Sequence, residues 1–170
     1  MNIVLCGMMG SGKTSVGIKI SELTGMRWYD TDDLITEKYG KISDIFEFYG
    51  EERFRGYESE IVRRVASEDG CVISTGGGCV LRPENAAALK EFGKIIFLKV
   101  DINVLFARTG HTGDERPLLK NTSFEKMKAL LDQRTPIYSS CADFTIDTDG
   151  KNIEEVAREI CAVCGVKTIG

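Results

Sequence analysis

The sequence predicts an α/β domain built on a mostly parallel sheet. Apolar runs of strand length alternate with segments of helical periodicity along the whole chain. A glycine-rich turn joins the first run to the first helical segment, and the later runs are separated by stretches long enough for crossover helices. Ligands of such a sheet gather at the carboxyl ends of its strands. At 170 residues one domain is expected. The 42% hydrophobic and 28% charged fractions suit a soluble globular chain and exclude a disordered or collagen-like one.

Asn2 to Cys6 reads as a short buried strand, and the glycine turn after it opens a helix from about Lys13 to Leu23. Arg27 to Asp30 supplies a second strand, and helical character resumes from Thr31 through Tyr39. Two further helices follow from apolar spacing: Ile42 to Phe48 on Ile42, Ile45 and Phe46, and Glu51 to Ser67 on Phe54, Tyr57, Ile61, Val62 and Val65. Cys71 to Thr75 is a third strand ending in a triple glycine. Pro83 to Phe92 is helical, Ile95 to Val100 a fourth strand and Ile102 to Ala107 helical again. Thr109 to Asn121 is polar and irregular. Phe124 to Tyr138 is helical, Phe144 to Asp147 is a fifth strand, and an amphipathic helix starts at Ile153.

With 22 basic and 26 acidic residues the net charge is −4, and no Lys/Arg block interrupts that balance. A nucleic-acid or anionic-membrane partner is therefore not expected. The apolar start, Met1 to Cys6, is shorter than a signal-peptide core, and no run approaches the ~18 apolar residues of a membrane span, so the expected location is cytoplasmic. Cys6, Cys71, Cys79, Cys141, Cys161 and Cys164 are scattered and read as free thiols. The Cys161-Ala-Val-Cys164 spacing has no second ligand pair, which favours packing near a helix end over a metal. No interface stripe is visible, and a monomer is expected.

Gly7-Met8-Met9-Gly10-Ser11-Gly12-Lys13-Thr14 matches the phosphate-binding pattern G-x-x-x-x-G-K-[ST] at every fixed position, after a strand and before a helix. Backbone N–H groups and the helix N-terminus would cradle phosphates, Lys13 would act on them from an exposed loop, and Thr14 would hold Mg²⁺. No Asn-Lys-x-Asp guanine signature occurs, which argues against a GTPase, and no strand ends in the Asp pair of ATP-driven motors. Asp30-Thr31-Asp32 follows the second strand. Two apart in an extended segment, the carboxylates would face the phosphate loop together, one for a metal and one for a substrate hydroxyl; capping of the next helix is the competing role. Asp33 would alternate away and cap or start that helix. Gly76-Gly77-Gly78 at the third strand's end either lets a ligand approach the backbone or forms a plain turn.

Taken alone, Arg55 and Arg134 look like surface arginines. Arg108 and Arg116 bracket a segment with two glycines and no large apolar anchor, expected to be mobile and to close over bound phosphates. His111 within it suits a solvated loop residue better than a catalytic group.

These residues, in this order, resemble the shikimate kinase family over essentially the whole chain. The resemblance rests on Gly7–Thr14, Asp30-Thr31-Asp32, Phe54-Arg55 with Glu58, Gly76-Gly77-Gly78, Arg116-Pro117-Leu118-Leu119, and Arg134 ahead of Pro136 and Tyr138. It implies a three-layer P-loop kinase fold of the nucleoside-monophosphate-kinase kind, with a five-stranded parallel sheet in the order 2-3-1-4-5 and helices on both faces. Residues 31–63 would form a substrate-binding subdomain and 109–121 a mobile lid.

The implied activity is phosphorylation of the 3-hydroxyl of shikimate by ATP with Mg²⁺, a step of aromatic amino acid biosynthesis. Lys13, Asp32 and Arg116 would be catalytic. Gly7, Gly10, Ser11, Gly12, Lys13, Thr14, Arg108 and Arg116 would hold the nucleotide, and Thr14 and Asp30 the metal. Shikimate would contact Asp32, Phe46, Phe54, Arg55, Glu58, Gly76, Gly77, Gly78, Arg116 and Arg134, with Arg55 and Arg134 on its carboxylate and Glu58 orienting Arg55. Thr109 to Glu115 runs about one residue longer than the family's common lid, and Asp147-Thr148 leads into the adenine loop without the Arg or Pro often found beyond it. Another small-molecule kinase of this fold, for gluconate or a nucleotide, would share the phosphate loop but not the remaining motifs. A non-catalytic nucleotide binder would have no need of Lys13, Thr14, Asp32 and Arg116.

Overall fold

β1 (Asn2–Cys6), β2 (Arg27–Asp30), β3 (Cys71–Ser74), β4 (Gly93–Lys99) and β5 (Phe144–Asp147) form one parallel sheet in the order β2-β3-β1-β4-β5. The computed structural model describes residues 1–109 and 123–170. Among the described residues seven α-helices lie between the strands, α1 (Lys13–Thr24), α2 (Thr31–Tyr39), α3 (Ile42–Tyr49), α4 (Glu51–Ala66), α5 (Pro83–Glu91), α6 (Ile102–Thr109) and α7 (Phe124–Cys141), and an eighth, α8 (Ile153–Cys164), follows β5. None of them is long and apolar enough to cross a membrane.

Helices cover both faces, and β1 shows how its sequence requires them to. All five of its residues are buried. Ile3 and Leu5 point to one face, where Val16 and Ile20 of α1 and Val156 and Ile160 of α8 close the core. Val4 and Cys6 point to the other, against Val62 and Val65 of α4, Leu89 of α5 and Tyr138 of α7. Each fully buried Ile or Leu contributes about 1.5–3 kcal/mol. A third, smaller core of Ile35, Ile45, Phe54 and Ile61 lies among α2, α3 and α4. This group of helices is held together by its own apolar contacts.

Several boundaries differ from the periodicity. β4 begins at Gly93, two residues before the expected Ile95, because its pairing with β1 starts at Asn2 opposite Gly93. β3 stops at Ser74, and the glycine run leads into an unexpected 3-10 turn, Cys79–Leu81, closed by Cys79 N–H to the Gly76 carbonyl. α7 runs through Pro136 to Cys141, three residues past the expected Tyr138. Ser123 and Asn152 cap α7 and α8 as sequence-local chemistry demands.

α1 docks on the sheet through a gap left by Gly17. A Cβ there would lie 2.4 Å from Ser74 Oγ and 2.6 Å from Trp28 Nε1. Neither atom is free to retreat: Trp28 Nε1 donates to Ser74 Oγ at 3.0 Å, and Ser74 Oγ donates to the Lys13 carbonyl at 2.8 Å. Alanine at this site gains about 1 kcal/mol of helix propensity but overpacks the contact at a cost of about 1–3 kcal/mol. Gly17→Ala is therefore expected to lower the urea midpoint of unfolding. An unchanged or raised midpoint would show that the Trp28–Ser74 contact yields.

Candidate active site

The segment Gly7–Thr14 leaves the carboxyl end of β1 and turns into α1. Gly12 at the N-cap has φ +93°, in the left-handed region that side chains resist, and no side chain caps the helix. The leading N–H groups of α1 are thus left to an anion. Lys13 departs from the expected exposed position: only 7% of its surface is accessible. Its Nζ folds back to donate to the carbonyls of Gly7 at 2.7 Å and Met8 at 2.8 Å, which buries the ammonium against its own loop. Arg108, at the end of α6, donates to the Gly10 carbonyl at 3.0 Å. Ser11 is buried beside Gly7, its Oγ without a hydrogen-bond partner among the described residues.

Asp30 ends β2 and divides its carboxylate between two jobs. Oδ1 accepts from the N–H groups of Asp32 at 2.9 Å and Asp33 at 3.3 Å, capping α2, while Oδ2 accepts from Thr14 Oγ1 at 2.9 Å. Capping and service to the phosphate loop are therefore not alternatives. Asp32 does not share this direction, because α2 already starts at Thr31 and extended alternation no longer applies. Its carboxylate turns to the glycine run, where Oδ1 would meet a Gly76 Cβ at 2.7 Å. Asp33 is exposed in the first turn of α2.

Asp32, Gly76, Gly77 and Gly78 line an open pocket of ≈ 420 Å³ together with Phe46, Phe54, Arg55, Glu58 and Arg134. Met9 of the phosphate loop lines it too, so the pocket adjoins the loop. Phe46 and Phe54 form an apolar wall, their ring centroids 4.9 Å apart. Arg55 is mostly buried and donates to Glu58 Oε1 at 2.9 Å. A Cβ on Gly78 would lie 2.4 Å from its guanidinium. Arg134 is only 5% exposed, and its Nη1 has no hydrogen-bond partner among the described residues. Neither arginine is the surface residue that its local sequence suggests. Two buried guanidiniums converging on one cavity provide planar, bidentate recognition of an anion such as a carboxylate.

A family model described as shikimate kinase matches residues 9–164. The chain belongs to the shikimate kinase family. The shikimate kinase of Thermodesulfovibrio yellowstonii is 45% identical over 161 residues, 94% of this chain and 92% of that protein. That of Geobacter sulfurreducens is 44% identical, over 94% of this chain and 88% of its relative. Among solved structures, shikimate kinase from Acinetobacter baumannii in complex with shikimate superposes with a TM-score of 0.90 at 34% identity, covering 95% of this chain and 91% of that one. Shikimate kinase from Aquifex aeolicus gives 0.82 at 32% identity, covering 96% and 95%.

For this member of the family the structure brings together every residue expected from the motifs except Arg116. That residue, His111 and residues 110–121 of the expected lid lie outside the described residues. Met9 and Ile42 also line the pocket, although Met9 occupies a variable position of the loop pattern and Ile42 showed only helical spacing. Two further side chains hold the glycine run: Thr31 Oγ1 accepts from Gly76 N–H at 3.0 Å, and the buried Tyr138 hydroxyl donates to the Gly77 carbonyl. Burial raises the Tyr138 hydroxyl to about 12, which keeps it a donor.

Glu58 is fully buried on α4, and its Oε2 has no hydrogen-bond partner among the described residues. Burial pushes its carboxyl up to about 7 against the pull of Arg55. For Arg55 itself burial pulls downward, but the charges of Glu58 and Glu51 outweigh it and hold the guanidinium above its ordinary range. Between the ordinary carboxyl value of 4.5 and about 7 the folded chain binds the Glu58 proton more tightly than the unfolded chain. Stability contributed by that proton is present at the acid end and is lost as pH rises through about 7, by about 3–4 kcal/mol. Urea unfolding across this range should show that decline in the wild type and a flatter profile in Glu58→Gln; identical profiles would mean that Glu58 is ionised throughout.

Proposed function

We infer that the chain transfers the γ-phosphoryl group of ATP to the 3-hydroxyl of shikimate, yielding shikimate 3-phosphate and ADP. It thereby acts as a kinase of the shikimate pathway in aromatic amino acid biosynthesis. The observation that carries the reading is the pocket itself: two buried arginines, a carboxylate and an open glycine backbone stand beside a phosphate loop. Shikimate offers a carboxylate at one end and ring hydroxyls at the other, which is the complement of that lining.

Arg55 and Arg134 take the substrate carboxylate in this reading, with Glu58 holding Arg55 in place. Phe46 and Phe54 cover the ring. Asp32, beside Gly76, accepts hydrogen bonds from the hydroxyls, orients the 3-hydroxyl and receives its proton late as the bond to phosphorus forms. A loose transition state with charge on its oxygens asks for positioning and positive charge more than for a strong base. Gly7, Gly10, Ser11, Gly12 and the N-terminus of α1 cradle the phosphates, and Lys13 exchanges the carbonyls of Gly7 and Met8 for phosphate oxygens. Arg108 lies against the adenine, and Arg116 adds charge from the lid. Residues 31–63 act as the substrate-binding part.

Thr14 and Asp30 fit a hard divalent cation, because a hydroxyl and a carboxylate oxygen stand 2.9 Å apart at the mouth of the loop. Mg²⁺ bound there would neutralise charge on the β- and γ-phosphates. The protein works as a monomer in the cytoplasm, a reading supported by its six free thiols and near-balanced charge.

ADP release measured with and without shikimate tests the function directly. Turnover should require shikimate; equal ADP formation without it, or faster phosphorylation of gluconate or a nucleoside monophosphate, would overturn the assignment. Arg55→Lys tests the pocket. Lysine keeps the charge but not the planar fork, so binding of shikimate, or kcat/KM for it, should fall by about 30-fold to several thousand-fold, corresponding to roughly 2–5 kcal/mol. Titration with an ATP analogue should change far less, since Arg55 belongs to α4 and not to the loop. Equal weakening of both ligands would indicate general damage to the fold.

A further inference from the structure

The glycine run is tied down residue by residue. Thr75, which leads into it, donates to the Leu5 carbonyl of β1 from its N–H at 3.1 Å and from Oγ1 at 2.8 Å. Gly76 N–H is held by Thr31, and the Gly76 carbonyl accepts from Cys79 N–H at 3.1 Å. The Gly77 carbonyl is held by the Tyr138 hydroxyl. A trans peptide unit is planar and carries its C=O and N–H on opposite sides. Fixing the Gly77 carbonyl therefore also fixes the Gly78 N–H, which points away from Tyr138. That N–H makes no hydrogen bond among the described residues, and Gly78 lines the pocket against Arg55.

Tyr138 is itself immobile. Its side chain is fully buried, with its ring centroid 5.1 Å from that of Phe97 on β4. A phenylalanine would fill nearly the same space with no hydroxyl to desolvate, so packing alone does not account for the oxygen. Burial pushes the hydroxyl up to about 12 against the pull of the neighbouring Arg134, and it stays a donor. Arg134 precedes Tyr138 by four residues on α7 and shares its face. Its Nη1 would lie 3.2 Å from a Cβ on Gly77. Two groups of α7 thus converge on one residue of the run. Pro136 lies between them and removes one donor from the helix ladder, so the backbone of α7 is a weaker link between the two than an unbroken turn would be.

We propose that Tyr138 is a positioning residue for the anion end of the pocket, its hydroxyl setting the Gly77–Gly78 peptide so that the Gly78 N–H and the Arg134 guanidinium address the same substrate group. Tyr138 is not among the described residues that line the pocket, and it acts through Gly77. The role rests on shikimate being the pocket's ligand, with its carboxylate at Arg55 and Arg134. Without the hydroxyl the peptide is free to turn, and binding has to supply the order that the protein had provided beforehand. Affinity for the carboxylate suffers more than the phosphoryl step, because Asp30 and Thr14 are held to each other and not to Tyr138.

Tyr138→Phe tests this, with Ile160→Val as the control. Ile160 is buried on the opposite face of the sheet, so its substitution costs stability without touching the run. Tyr138→Phe should raise Kd and KM for shikimate about tenfold, while kcat at saturation and Kd for an ATP analogue change far less. Ile160→Val should bind shikimate as the wild type does, although both variants unfold at lower urea. In ligand-free protein the amide NMR signal of Gly78 should be displaced in Tyr138→Phe and unmoved in Ile160→Val. Equal weakening of both ligands, weakening of shikimate by Ile160→Val as well, a loss confined to kcat, or an unmoved Gly78 signal would overturn the proposal. Wild-type protein that fails to bind shikimate would overturn the assignment of the substrate instead, and the Gly78 signal would still decide whether the hydroxyl sets the peptide.

Discussion

The carboxylate of Asp30 is the joint on which the site turns. One oxygen anchors the first turn of α2 and the other holds the Thr14 hydroxyl at the mouth of the phosphate loop. Parallel strands deliver the rest: β1, β2 and β3 end side by side, so the loop, the aspartate pair and the glycine run leave the sheet at the same edge. Because α2 is capped from β2, the direction of Asp32 is inherited from the sheet instead of being set by a flexible loop. The phosphate loop and the neighbouring pocket are therefore referenced to one side chain.

Stability and function pull against each other in the pocket. Arg134 and Glu58 are almost wholly buried, and each carries a polar atom without a protein partner among the described residues. Such groups are costly in a core and are tolerated where a ligand completes their hydrogen bonds. The apolar support is correspondingly local. Ile35, Ile45, Phe54 and Ile61 form a small core beneath α2, α3 and α4, separate from the two that clamp the sheet. This arrangement lets the charged face be expensive without loosening the sheet that carries the phosphate loop.

Fold class was legible because local signals agree, β1 being apolar on both faces and each fixed position of the phosphate loop being present, whereas the strand order followed only from the family resemblance. Loop glycines and Asp30 could be placed from chemistry alone. The burial of Arg134 could not. Its helix is only weakly amphipathic, so sequence spacing does not say which way the arginine turns, and that direction is set by α7 packing on β4 through Tyr138 and Phe97. Lys13 was misjudged for a related reason, since its hydrogen bonds go to carbonyls five and six residues back in its own loop. Thr31 and Tyr138 support the glycine run through tertiary contacts that no local pattern encodes. Met9 and Ile42 enter the pocket as ordinary apolar residues and carried no signal at all.

The glycine run has a consequence for inhibition. Asp32 and Arg55 press so closely on Gly76 and Gly78 that a Cβ would lie 2.7 Å from one carboxylate oxygen and 2.4 Å from one guanidinium nitrogen. An inhibitor that draws its affinity from this backbone wall and from those two charged groups meets a surface with little freedom to mutate. Adding a side chain to exclude the drug displaces the groups proposed to hold shikimate, and altering Asp32 or Arg55 removes them. Resistance by substitution would have to arise elsewhere, at Met9, Ile42 or Phe46, where the lining is apolar and its shape can change without moving a charge.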